Sequence, residues 1–324
     1  VRALRRRLLV AALLGAALLG AALLGAGCAG DGGHSGATSS TATSSGQWTV
    51  LQLAGRPAAL ATDGDDVLVV DDASGSLVRI SGGRSTVVSV GGQLVGVAPV
   101  GGGAAWVIEA TGFATRIGPP AQSARPRIDL GGALVDVVAA GDAVYVGDIE
   151  RGVVHELDAA TGAARRQLVL PDGVVRLALD GQRLWVTGTD HTVTPVDLTT
   201  GSAGPSVAVG NGPIGLAVAD GTVWVANGDD ATVSRLDAAT GERRGPDVGV
   251  GSGPVAIAVH GDDVWVLDQD VGTVSHLRAS TGARAEPDIA IPSGMERARD
   301  LVVTDAGVWI VGTDAPQVAL LRTS

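Results

Sequence analysis

Residues 213–250 read PIGLAVADGTVWVANGDDATVSRLDAATGERRGPDVGV, and the pattern of this stretch decides the fold. Ile214 to Val218 is a short apolar run, and Asp220-Gly221 is a hairpin turn signal. Val223 to Ala226 is a second apolar run, followed by a polar loop from Asn227 to Asp230. Thr232 to Leu236 alternates as a third strand, after which Asp237-Ala-Ala-Thr240-Gly241 turns the chain. Glycine there supplies the positive φ that a tight bend needs, and Asp237 can bond nearby amides. Pro246 to Val250 completes a unit of four strands, and Gly253-Pro254 opens the next.

The frame recurs along the chain. A large residue occupies the same point of the second strand at Leu68, Trp106, Tyr145, Trp185, Trp224, Trp265 and Trp309, in steps of 38, 39, 40, 39, 41 and 44 residues. A period near 40 with four short strands per unit predicts an all-β, seven-bladed β-propeller. The second copy is the poorest, because Pro99 in its innermost strand removes a ladder donor, which only an edge or a bulge tolerates. The last unit has strands near Leu301–Val303, Trp309–Val311 and Val318–Leu321 and then lacks its fourth. Residues 48–53 (WTVLQL) match an outer strand, so the ring is expected to close by pairing this N-terminal segment with the C-terminal blade.

The propeller is assigned to residues 47–324, about 280 residues and enough for one such domain. The formal net charge of −11 becomes −15 once the four leader arginines (Arg2, Arg5, Arg6, Arg7) are set aside. A domain this acidic repels phosphate backbones, which argues against nucleic-acid binding. Every basic side chain is Arg, and the single Cys28 rules out an intramolecular disulfide or a cysteine metal cluster.

Arg2 to Arg7 form a positive segment and Leu8 to Leu24 an apolar one, the anatomy of a secretory signal over residues 1–27. Leu24-Gly-Ala-Gly-Cys28 resembles the lipobox of bacterial lipoproteins, although the leucine stands four residues before the cysteine and not three. The resemblance implies cleavage before Cys28, lipid on that residue and attachment to the outer side of a cell membrane. Residues 28–46, rich in Gly, Ser and Thr, read as a flexible tether.

Val223-Trp-Val-Ala-Asn227, Val264-Trp-Val-Leu-Asp268 and the Asp-x-x-Thr-Gly turns resemble the YVTN-type repeat of YncE-like bacterial propellers and, more distantly, streptogramin (virginiamycin B) lyases. The likeness covers residues 48 to 324 and implies fold more than activity, since such relatives include binders, sensors and enzymes. The quinoprotein pattern is absent, as no docking Trp follows Gly162, Gly201, Gly241 or Gly282. The lyase family implies a histidine and a glutamate acting with a divalent metal. No Glu-x-His pair occurs here, and His155, His191, His260 and His276 fall in different frames of their blades, so no catalytic residue carries over.

Two position sets are candidates for binding. Three and five residues after the marker, the repeat places Asp71, Glu109, Asp148, Asn227 and Asp268, then Glu150, Asp190, Asp229, Asp270 and Asp314. They are expected to form an acidic rim on one face, suited to a divalent cation, a cationic ligand or a basic partner segment; Asp and Asn also favour turns for purely structural reasons. Nine residues before the marker the series runs Ala59, Val97, Asp136, Arg176, Gly215, Ala256, Asp300. Charges so close to a core are normally paired. Asp136, Arg176 and Asp300, with Arg299 beside them and Arg56 and Arg297 on the loops above, are therefore expected at the channel mouth, as an ion pair between blades or as a pocket. The sequence thus points to a monomeric, membrane-anchored, non-enzymatic ligand- or protein-binding module with no resident cofactor. The alternatives are a metal-assisted lyase or hydrolase and a cell-wall scaffold.

Overall fold

Seven antiparallel sheets follow one another along the chain in a computed structural model that describes residues 42–45, 47–118, 123–124, 127–313 and 315–323. Blade 5, the stretch quoted first, has strands Pro213–Ala219, Thr222–Asn227, Thr232–Asp237 and Val248–Gly249. Its Asp220-Gly221 hairpin has positive φ at both residues, as a tight I′-type turn requires. In the next turn Asp237 Oδ1 accepts the amides of Ala239 and Thr240, both at 2.9 Å, and Gly241 has φ 77°. Asp197 repeats this geometry with Thr199 and Thr200.

The ring closes as expected. Trp48–Gln52 lies antiparallel to Gln317–Leu321, with Trp48 opposite Leu321 and Gln52 opposite Gln317. Trp48, Val50 and Leu51 are buried by this pairing, each contributing about 1.5–3 kcal/mol if fully removed from water. Ala42–Ser45, inside the stretch read as a tether, adds a fifth and outermost strand to the same sheet. The signal over 1–27, Cys28 and Asp314 lie outside the described residues.

The markers form the core between blades. All seven are buried, and each of the tryptophans packs against strands of a neighbouring blade; Trp106, for example, meets Val137, Val144 and Leu157 of blade 3. Its indole N–H donates to the carbonyl of Ala159, in the Asp158-to-Gly162 turn, at 2.9 Å. Gly162 sits so close under that ring that a Cβ there would lie 2.7 Å from Trp106, and its φ of 77° would strain any other residue.

Arginines fasten the seams. Arg79 donates to Gly103 O, Arg116 to Ala159 O, Arg166 to Leu198 O, Arg183 to Ala238 O and Arg235 to Thr281 O, in each case across to the following blade. Arg166, which follows the Thr161-Gly162 turn, is thus one of these latches. At the seam between blades 6 and 7 the latch runs from Trp48 Nε1 to Ala290 O at 2.9 Å.

Candidate functional site at the channel mouth

The innermost strand of each blade is an edge strand facing a central channel, so its backbone donors need partners from outside the ladder. Six of the seven inner strands carry a register shift near their start, between the first and third residues of the strand, for example Leu134/Asp136 and Ala298/Asp300. Just past this bulge the ring of equivalent positions holds Ala59, Gly96, Asp136, Arg176, Gly215, Ala256 and Asp300. Blade 2 departs from the expected offset: Gly96, not Val97, pairs with the residue two beyond the marker. Its hairpin carries a second register shift at Pro99/Gly101, where the proline cannot donate.

Asp136 and Asp300 do the same work in different blades. Asp136 Oδ2 accepts the Leu177 amide of blade 4 at 2.7 Å, and Asp300 Oδ2 accepts the Leu60 amide of blade 1 at 2.7 Å. Their Oδ1 atoms accept the amides of Val137 and Leu301 at 2.9 and 3.0 Å. Burial is the main influence on both carboxyls and pushes their pKa values up, against the pull of Arg176 and these amides. Arg176 Nη1 stands 3.7 Å from Asp136 Oδ1, too long for a hydrogen bond and within ion-pair range. Arg299 is held below its ordinary range, chiefly by burial and next by repulsion from Arg176.

Asp136, Arg176 and Asp300 line a channel cavity of about 410 Å³ whose remaining walls are small or aliphatic. Arg56 lies above and grips Asp72 with two hydrogen bonds of 2.8 and 3.0 Å. Arg297 is exposed on the loop entering blade 7. The structure therefore brings Asp136, Arg176, Arg299 and Asp300 together, sets Arg56 with Asp72 over them, and leaves Arg297 at the surface. Asp72 is the member that sequence spacing misses, because it lies one residue beyond the repeating acid.

The acidic rim divides in two. Asp71, Glu109, Asp148, Asn227 and Asp268 are buried, none more than 2% exposed, and are engaged in internal hydrogen bonds. Asp71 Oδ1 accepts the amides of Ala73 and Ser74; Asp148 Oδ1 accepts those of Glu150 and Arg151. Glu109 is bound by Arg127 through two hydrogen bonds of 2.8 and 2.7 Å. Asn227 donates to Thr232 and Ser234, and Asp268, pushed up to about 6 by burial, accepts from Ser275 at 2.6 Å. Glu150, Asp229 and Asp270 are exposed and Asp190 is half-buried, so an acidic arc remains over blades 3 to 6.

The histidines do not converge. His155 is buried beside Gln167; His191 Nδ1 accepts the Gly212 amide at 3.2 Å; and His260 faces Asp305. His276 stacks on Trp265 with centroids 3.9 Å apart and hydrogen-bonds Asp263 at 2.7 Å. Among the described residues no three of His, Cys, Asp and Glu are grouped to hold a metal ion.

No protein-family model matches the sequence, and no curated protein does. Among solved structures the chain is similar to virginiamycin B lyase from Staphylococcus aureus, with TM-score 0.75 and 14% identity over 86% of this chain and 99% of that one. It is also similar to BamB from Moraxella catarrhalis, at TM-score 0.64 and 17% identity over 88% and 98% of the two chains. The WD40 propeller domain of Doa1 matches at TM-score 0.69 and 13% identity over 85% and 96%. At these identities the likeness shows the fold. The chain is a seven-bladed β-propeller, and its fold resembles both that of a lyase and that of a WD40 propeller domain, so the fold alone assigns no activity.

Proposed function

We propose that this protein is a YncE-like, membrane-anchored propeller on the outer side of the membrane, acting as a monomer and binding a ligand or protein partner over its channel mouth. The observation that carries this reading is the charged layer. Asp136, Arg176 and Asp300 stand where the other blades place Ala or Gly, beside a cavity of about 410 Å³ with aliphatic walls. A concave site with a few convergent polar groups is where ligands are usually held. The acidic arc of Glu150, Asp190, Asp229 and Asp270 lies on the loops of the face where the inner strands begin, and favours a partner with a basic segment. Anchoring rests on the leader and on Cys28 in its lipobox-like setting. The lyase alternative draws on the shared architecture alone, since each histidine described above is engaged in a local contact away from the channel.

Capture of envelope components on the full chain, compared with Arg176→Gln and Asp300→Asn variants that remain folded at the assay temperature, tests the site. A component retained by the native protein and lost from both variants is the expected result. Equal retention by all three contradicts it.

A further inference from the structure

The seams between inner strands are built in three ways. Four carry a small residue at the ring position (Ala59, Gly96, Gly215 or Ala256), and at Gly215 a Cβ would lie 3.2 Å from Ala256 Cα of the next blade. Two carry a carboxylate, where Asp136 accepts the amide of Leu177 and Asp300 that of Leu60. The seam from blade 4 to blade 5 carries Arg176.

Arg176 thus puts a donor where the other charged seams put an acceptor. Leu60, Leu177 and Leu216 each pair with the residue one beyond their marker, at Val69, Val186 and Val225. Strand alternation turns all three amides out of their own ladders, and those of Leu60 and Leu177 meet the carboxylate of the preceding blade. For Leu216 the residue in that place is Arg176, whose guanidinium can only donate. Among the described residues no side chain accepts from the Leu216 amide. The Arg176 guanidinium makes no hydrogen bond there either, its ion-pair partner Asp136 standing 3.7 Å away.

Both groups line the channel cavity of about 410 Å³. Two donors facing one another across a seam call for an acceptor from outside the chain. A guanidinium beside an amide suits a carboxylate, which offers an oxygen to each. The ring already answers this amide with a carboxylate at Asp136 and Asp300. With those two fixed in the layer, every further negative charge is opposed, so a single one is favoured over two.

We infer that Arg176 and the Leu216 amide hold the carboxylate of a small monocarboxylate in the channel. The inference rests on the ligand-binding reading above and names the chemistry of that ligand. The bound carboxylate completes the blade 4 to blade 5 seam as Asp136 and Asp300 complete theirs.

Amide NMR of the full chain in detergent tests this, as sodium acetate replaces sodium chloride at constant ionic strength and pH 7. The Leu216 amide should shift saturably in the native protein, and malonate should bind more weakly than acetate. Arg176→Asn places a side-chain oxygen near the Leu216 amide and should weaken acetate binding about tenfold or more, with Arg176→Lys intermediate. N-acetyl-trialanine with a free or an amidated C-terminus distinguishes the source. A free-acid form at least tenfold tighter than acetate assigns a peptide C-terminus; acetate binding as tightly assigns a free small acid. No saturable shift of Leu216 in the native protein, equal acetate affinity in Arg176→Asn, or equal binding of the amidated peptide would overturn the assignment. Capture of envelope components that Arg176→Gln and Asp300→Asn lose, in a native protein without a carboxylate response, would overturn this inference alone. A carboxylate response with equal capture by all three would overturn the partner site alone.

Discussion

The carboxylate of Asp300 in the last blade accepts the amide of Leu60 in the first at 2.7 Å, so the ring is fastened at its inner edge as well as its outer one. The contact spans the same seam that Trp309 and Leu60 pack from within, next to the N-terminal closing strand. Asp136 makes the matching contact with Leu177 between blades 3 and 4.

Removing this inner fastening leaves a buried donor without a partner and Arg176 with one fewer counter-charge. Asp300→Ala is expected to destabilise the fold by about 1–3 kcal/mol in denaturant unfolding, with Asp300→Asn intermediate because its amide oxygen can still accept from Leu60. An alanine variant as stable as the native protein would show that the contact is incidental.

Asp268 and Asn227 are blade-to-blade equivalents with the same Ser and Thr partners, yet one is ionisable. Burial raises Asp268 from 3.8 to about 6, so the folded state holds its proton more tightly than the unfolded chain. The resulting penalty is absent below about pH 4, grows as pH rises toward 6 and is complete above it. Its ceiling is roughly 3 kcal/mol from the size of that shift. Asp268→Asn should therefore be more stable than the native protein at pH 7, by up to about that amount since the attraction to Arg284 is already contained in the shift, and equal to it near pH 4. Chemical denaturation at the two pH values checks this; a variant that is less stable at pH 7 contradicts it.

The tryptophans offer an internal control. Trp106 Nε1 bonds Ala159 O, whereas the indole nitrogens of Trp185 and Trp224 are buried without a protein acceptor. All three changes to Phe remove similar volume. Trp106→Phe should cost about 1 kcal/mol more than Trp185→Phe or Trp224→Phe, the worth of one buried hydrogen bond. Equal losses across the three would remove the indole latch from the account.

Cys28 is the only cysteine, and its role can be read by fractionation. The native protein should partition with membranes after expression in a host that processes lipoproteins, and Cys28→Ser should lose lipid labelling and appear in the soluble fraction. Unchanged labelling would exclude Cys28 as the acceptor.

Much of this architecture is legible in the sequence, because a repeat carries its own register. The spacing of Trp185, Trp224 and Trp265, the turn at Asp237 to Gly241 and the orphan strand at residues 48–52 each have one structural solution, and the structure adopts it. Proximity across blades is legible only where chemistry breaks the repeat, as at Asp136, Arg176 and Asp300. Two features escape linear reading. A one-residue bulge at Pro99/Gly101 shifts the offset for Gly96, and burial of the carboxylates at Asp71 or Asp148 depends on loop closure that no spacing reveals. The arginine latches carry a periodic signal that can be found, since Arg79, Arg116 and Arg235 each lie cross-strand from a marker.

Closure of the ring is the claim on which every positional equivalence rests, and a disulfide tests it directly. Gln52 and Gln317 are opposite one another on the closing pair of strands, Gln52 exposed and Gln317 half-buried. Directly opposed residues of an antiparallel pair come within bridging distance. In a Cys28→Ser background, Gln52→Cys with Gln317→Cys should form an intramolecular disulfide rapidly under mild oxidation of the folded protein and should raise its Tm. Failure to cross-link in the folded state, with cross-linking only after denaturation, would contradict the closed ring.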